Sequence, residues 1–111
     1  MSARLSSEVL VSALLRRAGG EGGFGAVLAR GDATAGAVMV VLAERGTRTL
    51  LLERLLQPDG RYAWREAGRA ETDEDFQALL ARRRRSDPDL WIIELDVADS
   101  ERFAAEMNED G

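Results

Sequence analysis

Three residue types are missing from this 111-residue sequence: it has no cysteine, no histidine and no lysine, so all 15 of its basic residues are arginine. Without cysteine there is no disulfide, thiolate nucleophile or zinc-thiolate centre. Without histidine the commonest general base and the imidazole metal ligand are gone. Without lysine there is neither a Schiff-base amine nor the phosphate-binding lysine of a P-loop. No apolar run approaches the ~18 residues of a membrane span. The opening MSARLSSEVLVSALLRR places only Arg4 before its apolar stretch and breaks that stretch with Ser12 and the pair Arg16–Arg17, unlike a signal peptide. The expected location is the cytoplasm, and no cofactor, metal or catalytic residue is nominated.

What is present suits one folded unit. Hydrophobic residues make up 45% of the chain, an ordinary share for a globular protein. We expect a single domain over 1–111 whose acidic end frays from about residue 107. The net charge of −5 is uneven: residues 1–70 carry ten arginines against seven acids, and residues 71–111 five against thirteen. That balance opposes non-specific nucleic-acid binding, which depends on neutralising phosphates.

Periodicity orders the elements. Residues 6–18 read as a helix capped by Ser6 or Ser7, with Leu10, Val11, Leu14 and Ala18 on its apolar side. Residues 19–25, GGEGGFG, stop it, and Phe24 to Arg30 alternate as a strand. The turn GDATAG (31–36) leads into AVMVVLAE (37–44), a run apolar on both sides, as in a central strand. Gly46 turns the chain into TRTLLLERLL (47–56), and Pro58-Asp59-Gly60 closes a hairpin onto a strand from Tyr62 to Glu66. Thr72 followed by three acids starts a second helix that ends in Arg82–Arg85 before Pro88. LWIIELDV (90–97) is a strand, and Asp99 or Ser100 caps a short last helix containing Phe103 and Met107. The expected fold is α+β: two layers, with a mainly antiparallel five-strand sheet built from a four-strand meander plus a strand after a crossover helix. The two longer helices lie on one face, followed by the short C-terminal helix. The doubly apolar run at 37–42 calls for cover on the second face as well, from the last helix or from a second copy.

Candidate binding groups are few. Gly20 to Gly25 spell GxGxxG, but the order helix–glycines–strand is the reverse of a nucleotide-binding turn, so the match is read as a helix stop. Arg82, Arg83, Arg84 and Arg85 spread over roughly 300° of helix and serve the helix dipole, with phosphate, an acidic protein or RNA as the alternative partner. Glu94 and Asp96 share a strand face near Asp87, Asp89 and Asp99. Read conservatively these are solvated carboxylates; Asp32, Asp87, Asp89 and Glu94 brought into one cleft with Arg16 or Arg17 would make a carboxylate–arginine enzyme, with or without a divalent ion. Trp64 and Tyr62 are core aromatics in one reading and a stacking surface in the other.

Three stretches together, VSALLRRAGGEGGFGAVLARGDATAGAV (11–38), DGRYAWREAG (59–68) and SDPDLWIIELD (86–96), resemble a bacterial family, domain of unknown function 1491. The resemblance rests on the pairing of a GD-x-x-AG turn with a DPDLW strand. It falls on Arg16, Arg17, Gly31, Asp32, Ala35, Gly36, Trp64, Asp87, Pro88, Asp89, Trp91 and Glu94. It implies a small α+β shape and no assigned activity. The stretch LDVADSERF departs from the family-like ending in having no acid directly after Asp96. The leading expectation is a non-enzymatic binding or protein-interaction module, with self-association as one form of it. The alternatives are RNA contact through Arg82–Arg85 and a small carboxylate–arginine enzyme. The surface set for any of these is Arg16, Arg17, Asp32, Trp64, Arg82 to Arg85, Asp87, Asp89 and Glu94.

Overall fold

The computed structural model describes residues 5–68 and 70–109. Its elements follow the periodicity closely: α1 (Ser7–Gly20), β1 (Phe24–Ala29), β2 (Val38–Glu44), β3 (Thr47–Leu56), β4 (Tyr62–Gly68), α2 (Asp73–Ser86), β5 (Trp91–Asp96) and α3 (Ser100–Glu109). Of the acidic end expected to fray, α3 includes residues up to Glu109, and 110–111 lie outside the described residues, as does Arg4.

The helix ends use the side chains that local chemistry favours. Ser6 caps α1 by accepting from the Val9 N–H, and Thr72 caps α2 by accepting from the Asp75 N–H at 3.0 Å. At the other end of α1 the Gly23 N–H reaches the Ala18 carbonyl and the Gly22 N–H that of Gly19, a Schellman closure with Gly22 at φ 86°. The GxGxxG letters are thus spent on stopping a helix. Gly25 serves packing instead: a Cβ there would run into the Leu15 and Leu95 side chains, so its absence lets α1 lie close on the sheet.

The sheet has five strands in the order β1-β5-β2-β3-β4. The α+β class and mainly antiparallel character are as expected, with one parallel pair, β2 with β5. The meander, however, has three strands rather than four. β5 enters between β1 and β2, pairing antiparallel with β1 (Ala26 opposite Glu94) and parallel with β2 (Val40 opposite Ile93). The physical reason lies in β5 itself. Its six residues include Trp91, Ile92, Ile93 and Leu95, all buried, and a strand apolar on both faces is stable only in the interior of a sheet.

Helix placement also differs. Val11, Leu14 and Ala18 of α1 and Phe103 and Met107 of α3 pack with Val40, Leu42, Ile93 and Leu95 on one face. Phe76 and Leu80 of α2 pack with Met39, Val41, Leu51 and Ile92 on the other. The two longer helices therefore lie on opposite faces, and α2 supplies the second-face cover expected from α3 or from another copy. The short β2–β3 connection is Arg45-Gly46, with φ of 51° and 82°, the doubly left-handed turn that suits the twist of a hairpin.

Candidate functional site

Two of the three stretches that carry the family resemblance, the turn of 11–38 and the segment 86–96, meet in space. Asp32 sits in the turn between β1 and β2, where its carboxylate accepts from the N–H groups of Thr34 and Ala35 at 3.2 and 2.8 Å. Its backbone carbonyl accepts from the Trp91 indole N–H at 2.7 Å, and its N–H donates to the Asp89 carbonyl at 3.0 Å. A Cβ on Gly31 or Gly36 would overlap the Asp89 carbonyl oxygen, so both glycines are needed for this approach. The same turn receives the start of α1: Ser7 and Glu8 N–H donate to the Thr34 and Ala33 carbonyls at 3.1 and 2.9 Å, and the Ser7 hydroxyl donates to the Gly36 carbonyl. Asp87 accepts from the Asp89 N–H at 3.1 Å, and Arg30 lies 5.2 Å from the Trp91 ring centre. The GD-x-x-AG turn and the DPDLW segment form a clasp that locks the entry of β2 to the entry of β5 and to the first turn of α1.

The remaining nominated residues are placed apart from one another. Arg17 pairs with Glu21 at 3.4 Å and lies over Phe103 on the α1 side, while Arg16 is exposed. Trp64 is 7% exposed and belongs to the core. Arg83 pairs with Glu53 at 2.6 Å, and Arg84 donates to the Pro88 and Arg30 carbonyls at 3.1 and 3.0 Å; Arg82 and Arg85 face solvent. Glu94 binds Arg48 at 2.8 Å, and Arg48 also reaches Asp73 at 3.1 Å, which ties β5 through β3 to the start of α2. Asp96 caps the β2–β3 turn, accepting from the N–H of Arg45 and Gly46 at 3.0 and 2.7 Å. Among the described residues no group of three acids is placed to hold a metal ion. Trp91 and Glu94 leave β5 on opposite faces, so the clasp acids and Glu94 do not share a cleft.

Among the described residues one carboxylate is shifted. Glu44, at the end of β2, accepts from the Ser100 N–H and the Ser100 hydroxyl, both at 2.7 Å, and these bonds hold its pKa below the ordinary glutamate value. It thereby supplies the carboxylate for the N-terminal end of α3, where Asp99 also accepts from the Arg102 N–H at 3.1 Å.

The two sheet edges differ. On β4 the Trp64 N–H donates to Asn108 Oδ1 at 2.7 Å, and Asn108 Nδ2 donates to the Trp64 carbonyl at 3.1 Å. The amide of α3 thus stands where the next strand's backbone would be. On β1 Phe24 is 67% exposed, Val27 43% and Leu28 42%, and the strand FGAVLA carries no charge and no proline. A bulge places Leu28 as the extra residue opposite β5. Beside it, between β1 and α2, runs an open groove of about 300 Å³ lined by Leu28, Ala29, Leu80, Ala81 and Ile92 and by Arg48, Gln77 and Arg84. Sequence reasoning recognised β1 but not that it is an edge, and missed Asn108. FGAVLA carries neither of the usual edge protections, charge or proline, so nothing in its sequence marked it as an edge.

The family model for the protein of unknown function DUF1491 matches residues 5–105. The chain belongs to the DUF1491 family. A crystal structure of a DUF1491 family protein from Caulobacter crescentus CB15 is 37% identical, with a TM-score of 0.79 over 86% of this chain and 91% of that one. An NMR structure of a DUF1491 family protein from the same organism superposes at 0.77 with 37% identity, covering 88% and 90%. The solution structure of protein Atu0922 from A. tumefaciens gives 0.74 at 34% identity, covering 87% and 89%. No curated protein matches the chain. In this DUF1491 chain the motif residues Gly31, Asp32, Gly36, Asp89 and Trp91 are those of the clasp, which accounts for their pairing in structural terms.

Proposed function

We propose that this DUF1491 chain is a non-enzymatic protein-interaction module that binds by adding a strand to β1. The observation that carries this reading is the contrast between its edges: β4 is capped at Trp64 by Asn108, while β1 presents an uncharged, largely exposed strand. Strand addition uses main-chain hydrogen bonds for affinity and neighbouring pockets for specificity, and the groove beside Leu28 supplies such a pocket. Of the groups an enzyme reading would use, Asp32 and Asp87 are engaged in the clasp, Glu94 with Arg48 and Arg17 in a helix-end pair, which supports a module over a carboxylate–arginine enzyme. With Arg83 and Arg84 held within the fold, the arginine run offers RNA only its outer members. We place the module in the cytoplasm.

The test is affinity capture from the lysate of the producing cell with the wild-type chain and with Ala26→Lys, which puts a charge on the open edge. A protein retained by the wild type and lost by the variant supports the reading. Equal retention by both, or recovery of RNA in place of protein, overturns it.

A further inference from the structure

We infer that the strand added to β1 is β1 of a second copy, paired antiparallel about a two-fold axis at Ala26; this rests on the interaction-module reading above. An isologous interface requires a surface complementary to itself, because each contact occurs twice. Centred on Ala26, the pairing sets Phe24 of one copy opposite Leu28 of the other, Gly25 opposite Val27, and Ala26 opposite its own mate. Each large exposed side chain of the strand then meets a partner of suitable kind. Phe24 and Leu28 lie on the α2 side of the sheet, so Phe24 reaches the mouth of the other copy's groove. Leu28 is turned toward that groove by the bulge, while residues 24–27 keep regular strand register with β5. Gly25 and Val27 face the α1 side, where the small residue leaves space beside the larger one.

Charge permits the pairing, and area sets its strength. About the two-fold axis the central residues of the two copies face one another, so a charge near the centre would meet its own like; FGAVLA has none. An edge of six residues is about 20 Å long. Phe24, two-thirds exposed, contributes about 130 Å² of covered surface. Such a contact falls below the ~800 Å² per partner of a standard interface, so the dimer is a weak, reversible one.

The experiment is sedimentation velocity on the full chain from micromolar to submillimolar concentration. The wild type is expected to shift progressively from monomer to dimer. Ala26→Lys and Ala26→Glu should each remain monomeric, and an equimolar mixture of the two should recover the dimer, since opposite charges then face each other at the axis. Ala26 is exposed, and an unchanged thermal melt of each variant shows that the fold is kept. A wild type monomeric throughout, variants that still dimerise, or a mixture that stays monomeric would each overturn the inference. A monomeric wild type that nonetheless loses a captured protein on Ala26→Lys overturns self-pairing while leaving the interaction-module reading intact.

Discussion

Single residues in this fold do more than their exposure suggests. Glu44 accepts two hydrogen bonds from Ser100, and its lowered pKa makes it a source of pH-dependent stability. A carboxylate with a depressed folded-state pKa contributes fully above its unfolded value, about 4.3, and the contribution is lost as pH falls through the folded value. Glu44→Gln is therefore expected to lower the melting temperature at pH 7 and to narrow the stability difference from wild type at pH 3. Thermal melts across that range check it, and a constant difference at all pH values would count against it. Gly36 is the other case. A methyl group there must displace the Asp89 carbonyl or the turn holding Asp32, and overpacking of this kind costs about 1–3 kcal/mol. Gly36→Ala should lower the urea midpoint accordingly, with the Trp91 fluorescence altered because its indole partner, the Asp32 carbonyl, shifts.

The elements were largely legible in the sequence, their neighbours less so. Caps at Ser6 and Thr72, the glycine stop after α1 and the proline after α2 are local signals, and local chemistry decides them. The faces of α1 and α2 were also legible, because Val11, Leu14, Phe76 and Leu80 recur at helical spacing. Which face of the sheet each helix would cover was not, since β2 is apolar on both sides and accepts either. The clasp was visible only as a resemblance: nothing in GDATAG alone says that its carbonyls receive α1 and the Trp91 indole. Asn108 was equally silent, because an exposed asparagine in a last turn has no distinguishing pattern. Its role is testable. Asn108→Ala should cost about 1 kcal/mol, the worth of an ordinary hydrogen bond, and should speed amide exchange at Trp64 while leaving β1 unchanged.

At the scale of the molecule, the least legible feature is the position of β5. Short connections favour neighbouring strands, and by that rule β1 belongs beside β2. The chain instead leaves that place for a strand more than sixty residues beyond β1, which pairs with both. The double apolarity of β5 was visible in LWIIELDV, but partner choice depends on how well two strands and three helices together cover it. A chain ending at Asp89 would retain the β2–β3–β4 meander but leave β1 and β2 without their shared neighbour. Such a truncation is expected to lose cooperative unfolding and near-ultraviolet dichroism. A sharp two-state melt would show that the meander folds alone.

The Asn108 amide on β4 has a consequence for what the protein cannot become. A sheet with two open edges polymerises, since every added copy offers a fresh end. With one edge capped and the other paired with itself as inferred above, growth would end after a single event: the first pairing would consume both free ends. On the pairing inferred above, an asparagine in the last helix would act as a chain terminator, limiting the assembly to two copies and keeping an apolar strand out of fibres.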